Sequence, residues 1–226
     1  MATYIILSGK AWNLTLPDKL AKRFPGNQFV LIKEKDEFNE EVLKQIKPSK
    51  IFIPHWSFII PESIVNNYEC VVFHESDLPF GRGGSPIQNL IARGYKETKI
   101  SAIRAEKGLD TGPIYMKKDL SLLGTAEEIF IRANSLCEEM IEKIIEDDLS
   151  PKPQVGEPVV FKRRKPEQGN LAVLSGLNEV YDYIRMLDAD GYPKAFIDVN
   201  GFRYEFTRAS LKANETIIAD VRISKI

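Results

Sequence analysis

Cysteine is scarce in this chain: Cys70 and Cys137 are the only two among 226 residues. No Cys-x-x-Cys occurs, so a zinc ribbon is excluded. Cys70 falls in an apolar strand and Cys137 on an apolar helix stripe, where both read as core thiols. Net charge is also lacking, at −1, which gives no general attraction to nucleic acid or acidic membranes. Residues 1–150 carry 19 basic and 22 acidic groups and residues 151–226 carry 12 and 10, so neither part has the basic excess expected of a tRNA-binding protein. No apolar run approaches the roughly 18 residues of a membrane span. The start, Met1-Ala2-Thr3-Tyr4-Ile5-Ile6-Leu7, has neither the basic flank nor the cleavage site of a signal peptide. The expectation is a cytoplasmic protein with no membrane partner. Internal repeats and low-complexity tracts are absent.

Several site signatures are missing too. Ser8-Gly9-Lys10 offers one glycine where a dinucleotide fingerprint needs three, and Gly81-Arg82-Gly83-Gly84-Ser85 lacks the Gly-Lys-Ser/Thr of a P-loop. His74-Glu75 is followed by no Pro-Cys-x-x-Cys, which removes a deaminase zinc site. Asp110-Thr111-Gly112 occurs once, whereas an aspartic protease needs two such carboxylates side by side. No metal site is expected.

What is present is an alternation of short apolar strands and amphipathic helices. Tyr4–Leu7, Gln28–Ile32, Lys50–Ile53 and Cys70–Phe73 read as strands, Pro17–Phe24 and Phe38–Ile46 as helices. Thr98–Ala105 and Ile114–Leu120 alternate like strands. Thr125 with Glu128 forms a capping box before a long stripe from Ile129 to Ile145. Ser150-Pro151-Lys152-Pro153-Gln154 reads as an exposed linker, giving a domain at 1–150 and a small β-rich subdomain at 151–226. In the latter, Val159–Phe161, Ala195–Val199, Phe202–Phe206 and Thr216–Val221 are strand-like, Leu177–Leu187 is a helix, and Asn200-Gly201 is a hairpin turn.

The chemistry concentrates in residues 70–88. An apolar strand, suited to a central parallel position, ends at His74. A glycine-rich loop follows, then Ser85 as N-cap and Pro86 at the first helical position. Open α/β sheets place ligands at such strand ends. His74 alone could be a satisfied polar group, and Asp110, in Gly108-Leu109-Asp110-Thr111-Gly112, could simply cap its turn. Together they would give an imidazole whose protonation a carboxylate adjusts. The apolar loop Pro54–Pro61 is either packed on the core or the wall of a flat aromatic ligand's pocket.

His74-x-x-x-Leu78-Pro79, then Arg82-Gly83-Gly84-Ser85-Pro86-Ile87-Gln88, then Gly108-Leu109-Asp110-Thr111-Gly112, resembles the formyltransferase family that uses 10-formyltetrahydrofolate. The resemblance implies a Rossmann-like α/β domain with a mostly parallel sheet and a small β-rich C-terminal subdomain. It implies that a substrate amine attacks the formyl carbon, that His74 stabilises the oxyanion and that Asp110 holds His74 and helps remove the amine proton. It places the pterin against Trp56, Phe58, Ile59 and Ile60 and the run from Ile103 through Arg104 to Leu109. One departure stands out: the family has Asn-x-His at the strand end where this chain has Val72-Phe73-His74, so either Asn89, a backbone group or water would take the asparagine's role, or the chemistry would lean harder on His74 in a two-residue His74–Asp110 core.

Within the family the C-terminal part looks closest to the nucleotide-sugar N-formyltransferases, through Tyr192-Pro193-x-Ala195-Phe196 and the connector Phe161–Pro166. The expected acceptor is therefore a UDP- or dTDP-linked 4-amino-4,6-dideoxy sugar, of the pseudaminic-acid pathway type, and no nucleic acid. Ser8, Lys10, Arg82, Gly83, Gly84, Arg163, Tyr192 and Phe196 are the expected substrate contacts, and the β-rich tail could supply a homodimer face. Methionyl-tRNA formyltransferase-like activity, formyltetrahydrofolate hydrolysis and a non-catalytic folate- or nucleotide-binding module are the alternatives.

Overall fold

A parallel sheet needs strands apolar on both faces, and the N-terminal strands meet that demand. In the computed structural model, which describes all 226 residues, β1 (Thr3–Leu7), β2 (Gln28–Ile32), β3 (Lys50–Ile53) and β4 (Cys70–His74) run parallel. Ile5, Ile6, Leu7, Ile51, Phe52, Cys70 and Val71 are wholly buried. Helices α1 (Leu16–Arg23), α2 (Glu40–Ile46) and α3 (Glu62–Asn67) make the crossovers. Asn39 caps α2 by accepting from the Val42 N–H at 3.0 Å. α3 is a helix that the sequence pattern does not announce, because its six residues are shorter than two turns of period.

After β4 the chain forms β5 (Phe80–Gly83) and α4 (Pro86–Ile91), then β6 (Glu97–Arg104) and β7 (Ile114–Ser121). The sheet order is β2-β1-β3-β4-β6-β7. β6 pairs antiparallel with β4, His74 opposite Ser101, so the strand that carries His74 is parallel to one neighbour only. The run from Ile103 to Leu109 is not all strand: β6 stops at Arg104. The glycine-rich stretch is not wholly a loop either, since β5 pairs with β8 (Val159–Phe161). α5 (Ala126–Glu146) starts with the expected capping box: Thr125 N–H donates to Glu128 at 2.7 Å and Glu128 N–H to Thr125 Oγ1 at 3.3 Å. Cys137 on α5 and Cys70 on β4 are buried free thiols.

The C-terminal part holds α6 (Leu177–Arg185) and an antiparallel sheet of β9 (Ala195–Val199), β10 (Phe202–Lys212) and β11 (Thr216–Lys225), in the order β11-β10-β9. β10 and β11 run several residues beyond the stretches the sequence pattern marks. Cα packing divides the molecule into two compact units that interleave in sequence. One comprises Met1–Arg82, Lys99–Asp119 and Ile131–Val160; the other comprises Gly83–Thr98, Leu120–Phe130 and Phe161–Ile226. In the second unit buried Arg185 binds Asp182 through Nε at 2.6 Å and the Leu122 and Gly124 carbonyls through Nη1 at 2.5 and 3.0 Å. No helix is long and apolar enough to cross a membrane.

Candidate active site

The C-terminal ends of β1, β3 and β4 lie at one edge of the sheet, where the strands give way to loops. His74 is the last residue of β4 and is 7% exposed. Its Nδ1 lies 3.6 Å from Asp110 Oδ2. Two residues 36 positions apart thus meet, as the sequence reading expects. Asp110 adopts a left-handed backbone with φ of 52°, a conformation that a short carboxylate side chain tolerates.

The other ring nitrogen is committed. His74 Nε2 stands 2.7 Å from the Gly81 carbonyl. A carbonyl only accepts, so Nε2 carries a proton and Nδ1 is the nitrogen turned to the carboxylate. The Ser76 hydroxyl also donates to the Gly81 carbonyl, at 3.2 Å. That second donor has a consequence: when the imidazole turns its Nε2–H elsewhere, Gly81 keeps a partner and no buried acceptor is orphaned. Ser101, fully buried on β6, holds the same turn by donating to the Ser76 carbonyl at 2.7 Å and accepting from Leu78 N–H at 3.3 Å.

A residue that the sequence reading places only in the linker binds the Asp110 main chain. Gln154 Nε2 donates to the Asp110 and Gly112 carbonyls, both at 2.8 Å. Its Oε1 accepts from Arg82 Nε and Nη2 at 3.1 and 2.7 Å. The proline-flanked segment that carries it is also pinned by Lys152, which exchanges both backbone bonds with Ile114 at 2.7 and 2.8 Å. It is therefore a strut of the site and not a free linker. Arg82 ends in this network. Gln154→Ala is expected to lower stability by about 1–3 kcal/mol, the cost of leaving half-buried donors and acceptors unpaired, and to lower kcat with it; urea denaturation and steady-state kinetics check both.

The apolar loop after β3 divides. Trp56 and Ile60 are half-buried against the core around Leu43 and Ile53, and Trp56 meets Phe38 and Phe58 edge-on at 6.2 and 5.4 Å. Phe58 and Ile59 are 49% and 93% exposed, so packing on the core accounts for only part of the loop. The remaining exposed apolar surface suits a flat ring. Arg104 and Leu109 are exposed as well, with Arg104 bound to Glu106 at 2.6 Å. His55, two residues past the end of β3, is held neutral: burial, seconded by the Lys10 charge, pushes its pKa down to about 4.

Other expected contacts sit differently. Ser8 is fully buried and its hydroxyl accepts from Asn13 Nδ2 at 2.8 Å and from Lys10 N–H at 3.3 Å, a local turn that leaves it no access to a substrate. Lys10 lies over the Trp12 ring at 5.5 Å. Ser85 holds the expected N-cap position of α4, but its side chain does not cap: its backbone is left-handed, and its hydroxyl accepts from Arg164 N–H at 3.2 Å. Asn89 cannot stand in for the missing asparagine, because its amide nitrogen donates to the Gly84, Ser85 and Lys162 carbonyls at 2.9–3.1 Å. Gly83 and Gly84 leave no room for a side chain: a Cβ on Gly83 would strike the Phe161 carbonyl and one on Gly84 the Arg163 side chain. Arg163 is exposed. Phe196 is buried under the Arg203 guanidinium, 3.9 Å from its ring centre, and is a packing residue rather than a stacking platform. Tyr192 stacks on Phe130 at 5.3 Å.

A model of a family described as formyl transferase matches residues 14–139, and one described as the methionyl-tRNA formyltransferase C-terminal domain matches residues 166–224. The chain belongs to the formyl transferase family. A solved methionyl-tRNA formyltransferase from Clostridium thermocellum is 50% identical, with a TM-score of 0.96 and full coverage of both chains. The methionyl-tRNA formyltransferase of Francisella philomiragia is 26% identical over 94% of this chain and 75% of its own length. Other curated relatives are matched over about half of theirs, 52% and 44% in two cases. A sugar N-formyltransferase from Shewanella covers 100% of this chain and 98% of its own at 16% identity, with a TM-score of 0.70, which shows the fold alone. These findings overturn the nucleotide-sugar assignment and with it the expectation of no nucleic-acid partner. The resemblance of Tyr192–Phe196 and of the connector Phe161–Pro166 to the sugar enzymes does not decide the acceptor, because the Clostridium protein, named for tRNA, matches this chain end to end.

Proposed function

We propose that the protein formylates the amine of methionyl-tRNA, with 10-formyltetrahydrofolate as donor. The observation that carries this reading is the meeting of His74 with Asp110 at the sheet edge, in a chain so similar to the Clostridium enzyme. The folate would supply the formyl carbon, its flat ring against Trp56 and Phe58. Nδ1, which faces Asp110, would take up the proton of the attacking amine as its C–N bond forms and return it to the folate nitrogen as that nitrogen's bond to the formyl carbon breaks, Asp110 favouring the charged imidazole in between. The Nε2–H, released from Gly81 while Ser76 keeps that carbonyl satisfied, is the donor available to an oxygen that gains charge. Val72 contributes no polar atom, so the polar work falls on these two side chains.

Lys162, Arg163 and Lys165 are exposed; we assign them to tRNA phosphates. Near-zero net charge does not forbid this, since a short basic run acts locally within about 10 Å at ordinary ionic strength. Replacing all three with Ala is expected to weaken tRNA binding and to flatten the slope of log K against log salt by up to about 3, read by filter binding across a salt series. The reading itself is tested by supplying the folate donor with methionyl-tRNA, with free methionine, or with water alone. Turnover that needs methionyl-tRNA supports it. Turnover in water alone, or donor binding without turnover, contradicts it.

A further inference from the structure

Four basic residues follow one another from Lys162 to Lys165. Neighbouring cations repel, and a connector of this kind is ordinarily mobile. Here it is tied at successive positions, chiefly to the glycine-rich turn and α4. The Phe161 ring is buried beneath the Arg93 guanidinium, 4.3 Å from its centre, and Arg93 in turn donates to the Asn89 carbonyl at 2.9 Å. The Lys162 carbonyl accepts from Asn89 Nδ2 at 2.9 Å. Arg163 passes so close to Gly84 that a Cβ there would lie 2.8 Å from its Cα. Arg164 N–H donates to Ser85 Oγ at 3.2 Å, and Lys165 N–H to Gln168 Oε1 at 2.8 Å. Asn89 is 8% exposed, and the same Nδ2 reaches the Gly84 and Ser85 carbonyls at 3.0 and 3.1 Å, so one amide joins the turn to the basic run.

We propose that Asn89 and Ser85 are positioning residues for nucleic acid: they fix the main chain of residues 162–164, so that the cations it carries meet phosphates without first having to be ordered. The side chains left exposed are those of Lys162, Arg163 and Lys165. Arg164 is half-buried and committed elsewhere, over the Tyr183 ring at 5.0 Å and to the Gln168 carbonyl at 3.0 Å. A cation on a mobile segment loses part of its contact energy to the ordering of that segment, and a pre-set one does not. Asn89 and Ser85 carry no charge themselves, so their contribution is to geometry alone. The inference rests on the methionyl-tRNA reading and deepens it.

Two substitutions test this, with filter binding of tRNA across a salt series as the readout. Asn89→Ala strips a donor from three carbonyls. Ser85→Gly is the gentler variant: it removes the hydroxyl that holds Arg164 N–H, and glycine suits the left-handed backbone at φ 54°. If Asn89→Ala does not fold, Ser85→Gly decides. Each is expected to weaken tRNA binding about 3–10-fold at every salt concentration. The slope of log K against log salt is expected to stay as in the unaltered protein, because no cation is lost. In turnover the loss is expected in KM for methionyl-tRNA, with kcat and KM for the folate donor unchanged. Trypsin is expected to cut the folded variants faster after Lys162, Arg163 and Arg164. Unchanged affinity, a slope as flat as that of the triple alanine variant, a loss confined to kcat, or unchanged cleavage overturns the proposal. An unaltered protein that binds no tRNA contradicts the proposed function and this inference with it, whereas one that binds tRNA but is indifferent to both substitutions contradicts the clamp alone.

Discussion

His74→Gln is expected to lower kcat for formyl transfer about 100-fold or more, with the fold retained. Loss of a positioned acid–base group or of one oxyanion donor each costs about 10²–10³-fold or more, and His74 is the only side chain at this strand end that can do both. Retention of the fold follows from local accounting. The Gly81 carbonyl loses the imidazole but keeps the Ser76 hydroxyl, and a glutamine fills most of the vacated volume. Thermal unfolding and single-turnover kinetics on the same preparation separate the two outcomes. A variant that melts normally and transfers formyl at near the original rate removes His74 from the chemistry.

Gly112→Ala is expected to be the most damaging small substitution in the site. A Cβ at this position would overlap the Arg104 backbone carbonyl. The obstacle is main chain of β6 and cannot swing aside as a side chain would. The turn that carries Asp110 must then lift away, breaking at least one of the two bonds from Gln154. Overpacking against backbone costs about 3 kcal/mol, which for a chain of this size lowers Tm by about 6–12 °C. kcat is expected to fall further than stability alone explains, because Asp110 leaves its 3.6 Å approach to His74. Gly26→Ala is the control: nothing lies within 4 Å of a Cβ there, and both readouts are expected to stay put.

The meeting of His74 with Asp110 is legible because its two motifs are local and chemically marked: an apolar strand ending in histidine, and a carboxylate set between glycines. The parallel strands were legible for a similar reason, their unbroken apolar runs. What escaped depends on contacts distant in sequence. Gln154 looks like any polar residue between prolines, and nothing nearby announces that its amide spans Asp110, Gly112 and Arg82. Ser85 sits at the N-cap as its composition suggests, but its backbone is left-handed and its hydroxyl is taken by Arg164 N–H, a partner 79 residues away. Tyr192 and Phe196 are equally aromatic on paper, and only packing separates the half-exposed ring from the buried one. Net charge is a poor guide to the acceptor, because it averages over the chain, whereas a charged patch acts locally.

A double-mutant cycle on kcat, with His74→Gln, Asp110→Asn and the pair together, tests most directly whether the imidazole and the carboxylate act as a unit in formyl transfer to methionyl-tRNA. If they do, the double variant is about as slow as His74→Gln alone, since groups that act together are strongly non-additive. If the two losses multiply, the groups work independently, and the mechanism assigned to their 3.6 Å contact is wrong.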